Sequence, residues 1–517
     1  ADTSNNILKM RNSADDGWID LRTLTGGVTS AADATINSVT VGKGANSVSG
    51  NTVLGESALD ASVSGGNNTA VGLSALSALT SGTANTAVGQ NAMILNTTGT
   101  ENAAFGAIAL DANTTGSNNT ACGRSSLGSN TTASNNTAVG YNALAVNTTG
   151  IDNVAVGSSA LDANTTANDN TAIGRSALGA NTEGTGNVAV GKQALLSSTT
   201  ANYNTVVGAS SADAVTTGQQ NTAIGYVALT SATTGSYNTG VGFRSLLNVT
   251  TSEYNTALGY ETARNTTTGA KNVGIGSFAL YENTTADDNV GVGYDALRNN
   301  TTGTKNVSVG MRALKNNTTA DNNTALGHKA LENNTTGAYN IGVGAFSLDA
   351  NTTGQQNTAV GYDSLGANTE GIYNTAMGTN ALRSNTTANS NTAFGWSALN
   401  ANTTGTSNTA VGRGALQVHE NGNSNTAVGG NALDASTSAS SNTAVGTSAL
   451  GSTTTGGNNV AVGSGALGSN TTGARNIAIG VGTIDSATGQ SDNIAIGDNV
   501  LQAVSSGNTA QGYKNIG

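Results

Sequence analysis

The sequence predicts an all-β protein: a parallel β-solenoid, or β-roll, built from 27 copies of a 17-residue coil. The first observation is the period, because a glycine recurs at every seventeenth position from Gly55 to Gly497 without insertion or deletion. The second is that an asparagine stands four residues before each of these glycines. The third is the absence of proline, which suits a chain whose backbone N–H groups are engaged in ladders. A coil this short, with these glycines, cannot hold the paired helices of helical repeats.

The strand of each coil is predicted at the motif Asn-Thr-Ala-Val-Gly, as in Asn136–Gly140. The β-branched Thr and Val favour a pleated strand, and the glycine ends it. Because side chains alternate along a strand, Thr137 and Val139 share one face and Ala138 takes the other.

The rest of the coil is predicted to hold a second inward-pointing element and a turn. Ala143 and Leu144 form the inward pair, either as a strand or as one tight helical turn. Residues Asn147–Gly150 have turn chemistry, because Asn and Gly tolerate left-handed backbone angles. Four small apolar residues per coil make no core alone, so neighbouring coils must cover one another.

Stacking places the same residue of every coil in one column, about 4.8 Å from its equivalents. The asparagine column is predicted to be a ladder of side-chain amides bonded along the stack. The predicted structural ladder includes Asn51, Asn136, Asn153, Asn272 and Asn493. The repeat glycines include Gly55, Gly140, Gly157 and Gly497, and the predicted buried core includes Leu144, Leu161 and Leu178.

Charge and hydropathy exclude several partner classes. The net charge of −11 disfavours nucleic acid and anionic membrane surfaces, because both need basic patches. No apolar stretch approaches the roughly 18 residues of a membrane span. We therefore expect no nucleic-acid partner and no membrane insertion.

The chain also lacks the sequence signatures of catalysis and of metal binding. His328 and His419 are far apart in the sequence, each without a Cys or His companion. No carboxylate pair recurs at a fixed place in the coil. Cys122 replaces the strand Val and is expected to be a buried small hydrophobic residue. We expect a non-enzymatic protein with no catalytic residues, no metal and no cofactor.

The aromatic residues follow the repeat in two groups. One group directly follows the repeat glycine: Tyr141, Tyr226, Tyr260, Tyr294, Tyr362, Phe243 and Trp396. The other directly precedes the ladder asparagine: Tyr203, Tyr237, Tyr254, Tyr339 and Tyr373. Both positions hold Ser, Gln, Lys or Arg in other coils, so both are expected at the surface. There the rings either cover edges and seal a subunit interface, or form a stripe that contacts a receptor or glycan.

Four segments follow from where the period begins and ends. Residues 1–35 lack the period and are predicted to be an attachment or capping segment. Residues 36–50 lead into the solenoid, and residues 51–501 carry the 17-residue repeat. Residues 502–517 are predicted to be an altered terminal coil or a junction, because Gln511 replaces the strand Val.

The motif N-T-A-V-G-Y-N-A-L followed by N-T-T-G, with the lead-in Ile36–Gly44, resembles repeat regions of bacteriophage tail fibres. It is also similar to the head repeats of YadA-like trimeric autotransporter adhesins, although their coil is usually shorter. The resemblance covers residues 36–517, and the segments Ala1–Arg11 and Asp16–Asp20 look like the entry segment of phage fibre proteins. It implies a parallel homotrimer of left-handed β-rolls around a three-fold axis, used for attachment.

These observations together favour a structural fibre or attachment protein of a virion or of the extracellular surface, most simply a phage tail-fibre shaft for host adhesion. The alternative is a bacterial surface adhesin or an extracellular filament subunit. An ice-binding solenoid is a remote alternative, because ice-binding faces need two outward Thr columns and Thr137 stands alone. The expected partners are the chain itself, as a homotrimer, a host surface glycan or receptor, and other virion or filament proteins through the N-terminal segment.

Overall fold

The computed structural model of the chain describes residues 9–11, 18–20, 33–485 and 488–501. The chain divides into two compact units, residues 1–169 and 170–517, and each is described by itself. Most of the predicted attachment segment and the whole of the predicted altered terminal segment with Gln511 lie outside the described residues.

The first unit begins with two antiparallel pairs. Strands β1 (Lys9–Arg11) and β2 (Trp18–Asp20) pair with each other. Strands β3 (Ala34–Ile36) and β4 (Val39–Gly42) form a second antiparallel pair, followed by a 3-10 turn at residues 45–47. Strand β4 also pairs antiparallel with β5 (Thr52–Gly55), the first strand of the repeat. The β3–β4 pair therefore covers the edge of the first coil that the second coil leaves open.

The remaining strands are short and recur with the sequence period. In the first unit they are β6 (Thr69–Val71), β7 (Thr86–Val88), β8 (Ala103–Phe105), β9 (Thr120–Cys122), β10 (Thr137–Val139) and β11 (Val154–Val156). In the second unit they are β12 (Thr171–Ile173), β13 (Val188–Val190), β14 (Thr205–Val207), β15 (Thr222–Ile224), β16 (Thr239–Val241), β17 (Thr256–Leu258), β18 (Val273–Ile275), β19 (Val290–Val292), β20 (Val307–Val309), β21 (Thr324–Leu326), β22 (Ile341–Val343), β23 (Thr358–Val360), β24 (Thr375–Met377), β25 (Thr392–Phe394), β26 (Thr409–Val411), β27 (Thr426–Val428), β28 (Thr443–Val445), β29 (Val460–Val462), β30 (Ile477–Ile479) and β31 (Ile494–Ile496).

Within each unit these strands stack in parallel, and each residue pairs with the residue 17 positions later. Thr137 faces Val154 and Ala138 faces Ala155 in the first unit, and Val188 faces Thr205 in the second. Backbone N–H groups of the turns also donate to the next coil, as from Leu144 to the carbonyl of Ala160 at 2.9 Å. The prediction of an all-β, parallel solenoid with 17-residue coils is confirmed.

The core of each coil is thinner than the sequence suggested. Ala138, Ala143 and Leu144 are fully buried, whereas the strand residues Thr137 and Val139 are half-buried on the opposite face. Only three of the four expected apolar residues therefore point inward. We call the first and third side chains of strands β5–β31, in either unit, the outer strip.

Left-handed backbone angles occur at other residues than predicted. Asn135, Asn142 and Leu144 have φ of 62°, 55° and 54°, whereas Asn147 and Gly150 are outside this region. The pair Ala143 and Leu144 is thus neither a strand nor a helical turn. A left-handed leucine costs on the order of 1 kcal/mol, which the full burial of its side chain, about 2 kcal/mol, offsets.

The repeat glycine is required at the end of each strand. Gly140 has φ of +136°, and a Cβ on it would lie 2.6 Å from the carbonyl oxygen of Gly157 in the next coil. The same approach occurs at Gly55, where a Cβ would lie 2.2 Å from the carbonyl oxygen of Gly72. At Gly497 the φ is +129°, in the same region. Any larger residue would therefore push adjacent coils apart.

Candidate functional site

The asparagine before each strand forms a buried column that we call the entry column. The Oδ1 of Asn136 accepts a hydrogen bond from the backbone N–H of Asn153 at 3.0 Å, and its Nδ2 donates to the carbonyl of Gly150 at 2.9 Å. Asn272 repeats this pattern in the second unit, with the N–H of Asn289 at 3.0 Å. The column begins at Asn51 and ends at Asn493. The Oδ1 of Asn51 accepts a hydrogen bond from the backbone N–H of Asn68, and the backbone N–H of Asn493 donates to the Oδ1 of Asn476.

A second buried asparagine column, the turn column, lies eleven residues further along each coil. Asn147 is fully buried, and its Nδ2 donates to Asn130 Oδ1 and to the Gly150 carbonyl, both at 2.9 Å. From the motif Asn147–Gly150, only a turn was predicted at this asparagine. Its recurrence in most coils was the signal that a second ladder existed.

His419 occupies one place in the turn column. It is fully buried, and its Nε2–H donates to the carbonyl of Gly422 at 2.8 Å while the hydroxyl of Ser436 donates to Nδ1 at 3.1 Å. Burial lowers the pKa of the His419 imidazole, so the neutral form is held. The other histidine, His328, packs edge-on against Phe346.

The outer strip is uncharged and half-buried to exposed along both units. None of its 54 side chains is charged, and they are mainly Thr, Val, Ile and Leu. Its large exposed members are Leu54, Phe105, Ile173, Val207, Ile224, Leu258, Ile275, Val307, Leu326, Ile341, Phe394, Val445, Val462, Ile479 and Ile496. Cys122 lies in the strip and is exposed, so the expectation of a buried thiol was wrong. The reason is that the Val position it replaces faces outward.

Phe243 is half-buried, and the other aromatic residues singled out from the sequence are 42% to 62% exposed. They are Tyr141, Tyr203, Tyr226, Tyr237, Tyr254, Tyr260, Tyr294, Tyr339, Tyr362, Tyr373 and Trp396. Several rings stack on equivalents in the next coil, as Tyr237 does on Tyr254 at 4.9 Å and 4°. In the second unit Tyr226, Phe243 and Tyr260 form a continuous stack with centroid distances of 5.9 and 5.1 Å.

Further residues in the turns of the second unit, not predicted from the sequence, extend this aromatic group. Phe278 packs edge-on against Tyr260 and Tyr281, at 5.3 and 5.7 Å. The guanidinium groups of Arg264 and Arg298 lie 5.0 to 5.6 Å from the centroids of Phe278 and Tyr281. A count of charge by position in the coil, rather than over the whole chain, would have found them.

One carboxylate in these turns titrates near neutrality. Burial and the negative charges of Asp363 and Glu332 together raise the pKa of Asp349 to about 6, against the lowering effects of a backbone hydrogen bond and of Lys329. Asp349 is therefore partly protonated in mildly acidic solution.

Among the described residues, no three or more His, Cys, Asp or Glu side chains come together in a way that would hold a metal ion. No helix in the same part of the chain is long and apolar enough to cross a membrane. No protein-family model matches the chain, and neither a curated protein nor a solved structure is similar to it. The resemblance to phage fibres and adhesins thus remains an expectation from the repeat motif.

Proposed function

We propose that the chain is the shaft of an attachment fibre whose copies associate in parallel as a homotrimer through the outer strip. The observation that carries this proposal is the strip itself, which exposes apolar side chains in register and has no charged residue in any coil. Contiguous exposed apolar surfaces of this extent mark interaction sites in soluble proteins.

A second copy of the chain is the partner that fits this surface best. The strip repeats once per coil, so a partner that covers it throughout needs the same period and register. Another copy in parallel orientation has both. The fibre repeats that the motif resembles support three copies around an axis rather than two.

Solution mass tests the assembly directly. For the native protein we expect light scattering to give three times the mass of the chain. For the double variant Ile224→Lys with Leu258→Lys we expect the mass of a single chain, because six lysines would face one axis in the trimer. The matched control is Thr217→Lys with Thr251→Lys, which adds the same charge at exposed turn positions outside the strip. A native monomer, or equal dissociation of both variants, would contradict the proposal.

Cys122 supplies an independent readout from the unaltered chain. It is the single cysteine and is exposed on the strip of an isolated copy. In the assembled fibre we expect its reaction with a thiol reagent to be slow until denaturant separates the chains. Fast labelling of the folded native protein would place the strip outside the interface.

A further inference from the structure

Three carboxylates in the turns of the second unit are each buried beneath two cations, an arrangement that we call a cation clamp. Glu261 pairs with Arg244 at 3.4 Å and with Arg264 at 4.0 Å. The carboxylate side chain is 10% exposed, whereas the two arginines are 39% and 28% exposed. The buried carboxylate thus fixes two cations at the surface, and one positive charge remains in excess.

The second and third clamps repeat this geometry. Asp295 pairs with Arg298 at 3.2 Å and with Lys315 at 3.6 Å. Glu332 pairs with Arg312 at 2.6 Å and with Lys329 at 3.5 Å. The side chains of these two carboxylates are 4% and 9% exposed, and those of their cations are 20% to 34% exposed.

Aromatic rings hold the clamp cations in place. The guanidinium of Arg244 lies 4.8 Å from the centroid of Phe243, and that of Arg298 lies 5.0 Å from Phe278. In the third clamp, the Lys329 ammonium lies 5.8 Å from the ring of Phe346. Such contacts restrict the cations and reduce their hydration, so an incoming anion displaces less water.

The clamps are not a requirement of the solenoid. Each clamp cation stands two or five residues after a repeat glycine. Among the coils from Gly55 to Arg413, Lys or Arg occurs at these two positions only in the stretch from Arg244 to Arg383. Elsewhere the positions hold mainly Ser, Asn, Asp, Gly or small apolar residues. Glu282, also in this stretch, accepts a hydrogen bond from Asn265 at 2.8 Å. With Glu282, Asp349, Asp363 and Arg383 included, seven cations face six carboxylates in these turns, in a chain whose net charge is −11.

We infer that the three clamps form a binding site for an acidic polysaccharide that lies along the stacking direction. The carboxylates Glu261, Asp295 and Glu332 belong to every second coil, so the clamps recur about every 10 Å, twice the strand spacing. An acidic polysaccharide carries anionic groups on every disaccharide, so it also presents charge at a regular interval along its length. The neighbouring rings suit the apolar faces of sugars.

This inference deepens the attachment role proposed above, because it names the chemistry of the ligand. The clamps lie in the turns, outside the outer strip, so binding and self-association can be measured separately. The site needs no catalytic step, since it recognises charge and sugar surface alone.

The test measures binding of the full chain to immobilised heparin, to polygalacturonate and to neutral dextran. We expect both acidic polymers to bind with an affinity that falls as NaCl rises, and dextran not to bind. The comparison of sulfated with carboxylated polymer identifies the preferred anionic group. Binding of dextran as strong as that of the acidic polymers would overturn the inference.

The clamp variant combines Arg244→Gln, Arg312→Gln and Lys315→Gln, which removes one cation from each clamp and leaves each carboxylate one partner. We expect its affinity to fall at least tenfold. The matched control combines Lys271→Gln, Lys305→Gln and Arg413→Gln, three exposed cations of the same unit outside the clamps, and we expect less than a twofold change.

Equal losses in the clamp variant and its control would overturn the inference, and so would tighter binding of duplex DNA than of heparin. The mass of each variant is measured in parallel. A monomer that binds acidic polymers through the clamps would contradict the proposed assembly alone, whereas a trimer that binds none would contradict the polysaccharide site alone.

Discussion

The two asparagine columns contain the same side chain, yet the sequence treats them differently. The entry column is asparagine in all 27 coils, whereas the turn column contains Val215, Ala232, Val249 and His419 among its buried members. Both columns are buried, so burial does not explain the difference. Their hydrogen bonds do.

In the entry column the side chain replaces a backbone partner. Asn272 Oδ1 accepts the backbone N–H of Asn289 at 3.0 Å, a group at the corner where the next strand begins. In the turn column the amide donates to its equivalent in the preceding coil and to a carbonyl that the entry column also satisfies, as Asn300 Nδ2 does with Asn283 Oδ1 at 2.9 Å and with the Gly303 carbonyl at 2.8 Å. Every residue except proline keeps its backbone N–H, so a substitution in the entry column leaves a buried donor without its acceptor, whereas a side-chain partner can be replaced together with its neighbour.

The largest expected effect is that of Asn272→Leu, which breaks the entry column. The buried N–H of Asn289 loses its acceptor, so we expect a loss of about 1–3 kcal/mol in the free energy of unfolding. Denaturant unfolding monitored by circular dichroism measures this change. A loss below the error of that measurement would mean that the column is not required.

A gain is expected for His419→Asn, which restores the turn column. Asn402 Oδ1 is buried and has no hydrogen-bond partner among the described residues. An asparagine at 419 would donate to it, and we expect a gain of about 1 kcal/mol.

The gain from His419→Asn should also depend on pH. Because the folded pKa of His419 lies below its unfolded value of 6.5, the imidazole destabilises the fold as the pH falls from 6.5 through the folded pKa. The advantage of the variant should therefore increase below pH 6.5 and stay constant above it. Thermal unfolding at several pH values checks this, and a pH-independent difference would place His419 in contact with water.

A smaller effect is expected for Asn283→Val, in the same coil as Asn272. Two neighbouring hydrogen bonds remain in this variant. Asn272 Nδ2 still donates to the carbonyl of Ala286 at 2.8 Å, and Asn300 Nδ2 still donates to the carbonyl of Gly303 at 2.8 Å. Val249 already occupies this position elsewhere, fully buried. We expect a loss of about 0.5 kcal/mol in the same denaturant experiment. A loss equal to that of Asn272→Leu would show that the two columns are equivalent.

The smallest effect is expected for Tyr141→Ser at the surface. Tyr141 is 50% exposed, and its nearest described ring contact is the guanidinium of Arg124 at 6.0 Å. We expect a change in the free energy of unfolding of less than about 0.5 kcal/mol. If this change matched that of Asn272→Leu, the assignment of inner and outer faces would be wrong.

Much of the fold could be predicted because a stack repeats each requirement once per coil. The constant 17-residue interval, free of insertions, fixes the coil, and the unvaried asparagine and glycine mark the points where adjacent coils approach most closely. Alternation along the strand also predicted that Thr137 and Val139 lie on the face opposite that of Ala138, as the structure shows. Alternation does not say which set is inside, and the expectation that Cys122, at the Val position, is buried was therefore wrong.

The sequence by itself determined the period, the strand, the entry column and the leucine core, because these depend on local spacing and on the same contact made in every coil. Only the tertiary structure decided that Val139 and Cys122 face outward, since the opposite wall of the coil, with Ala143 and Leu144, fills the space inside. It also decided that Leu144 adopts a left-handed backbone, which the burial of its side chain compensates. The cation clamps join residues of adjacent coils, 17 or 20 positions apart or within one turn, and such pairs become neighbours only when the coils stack.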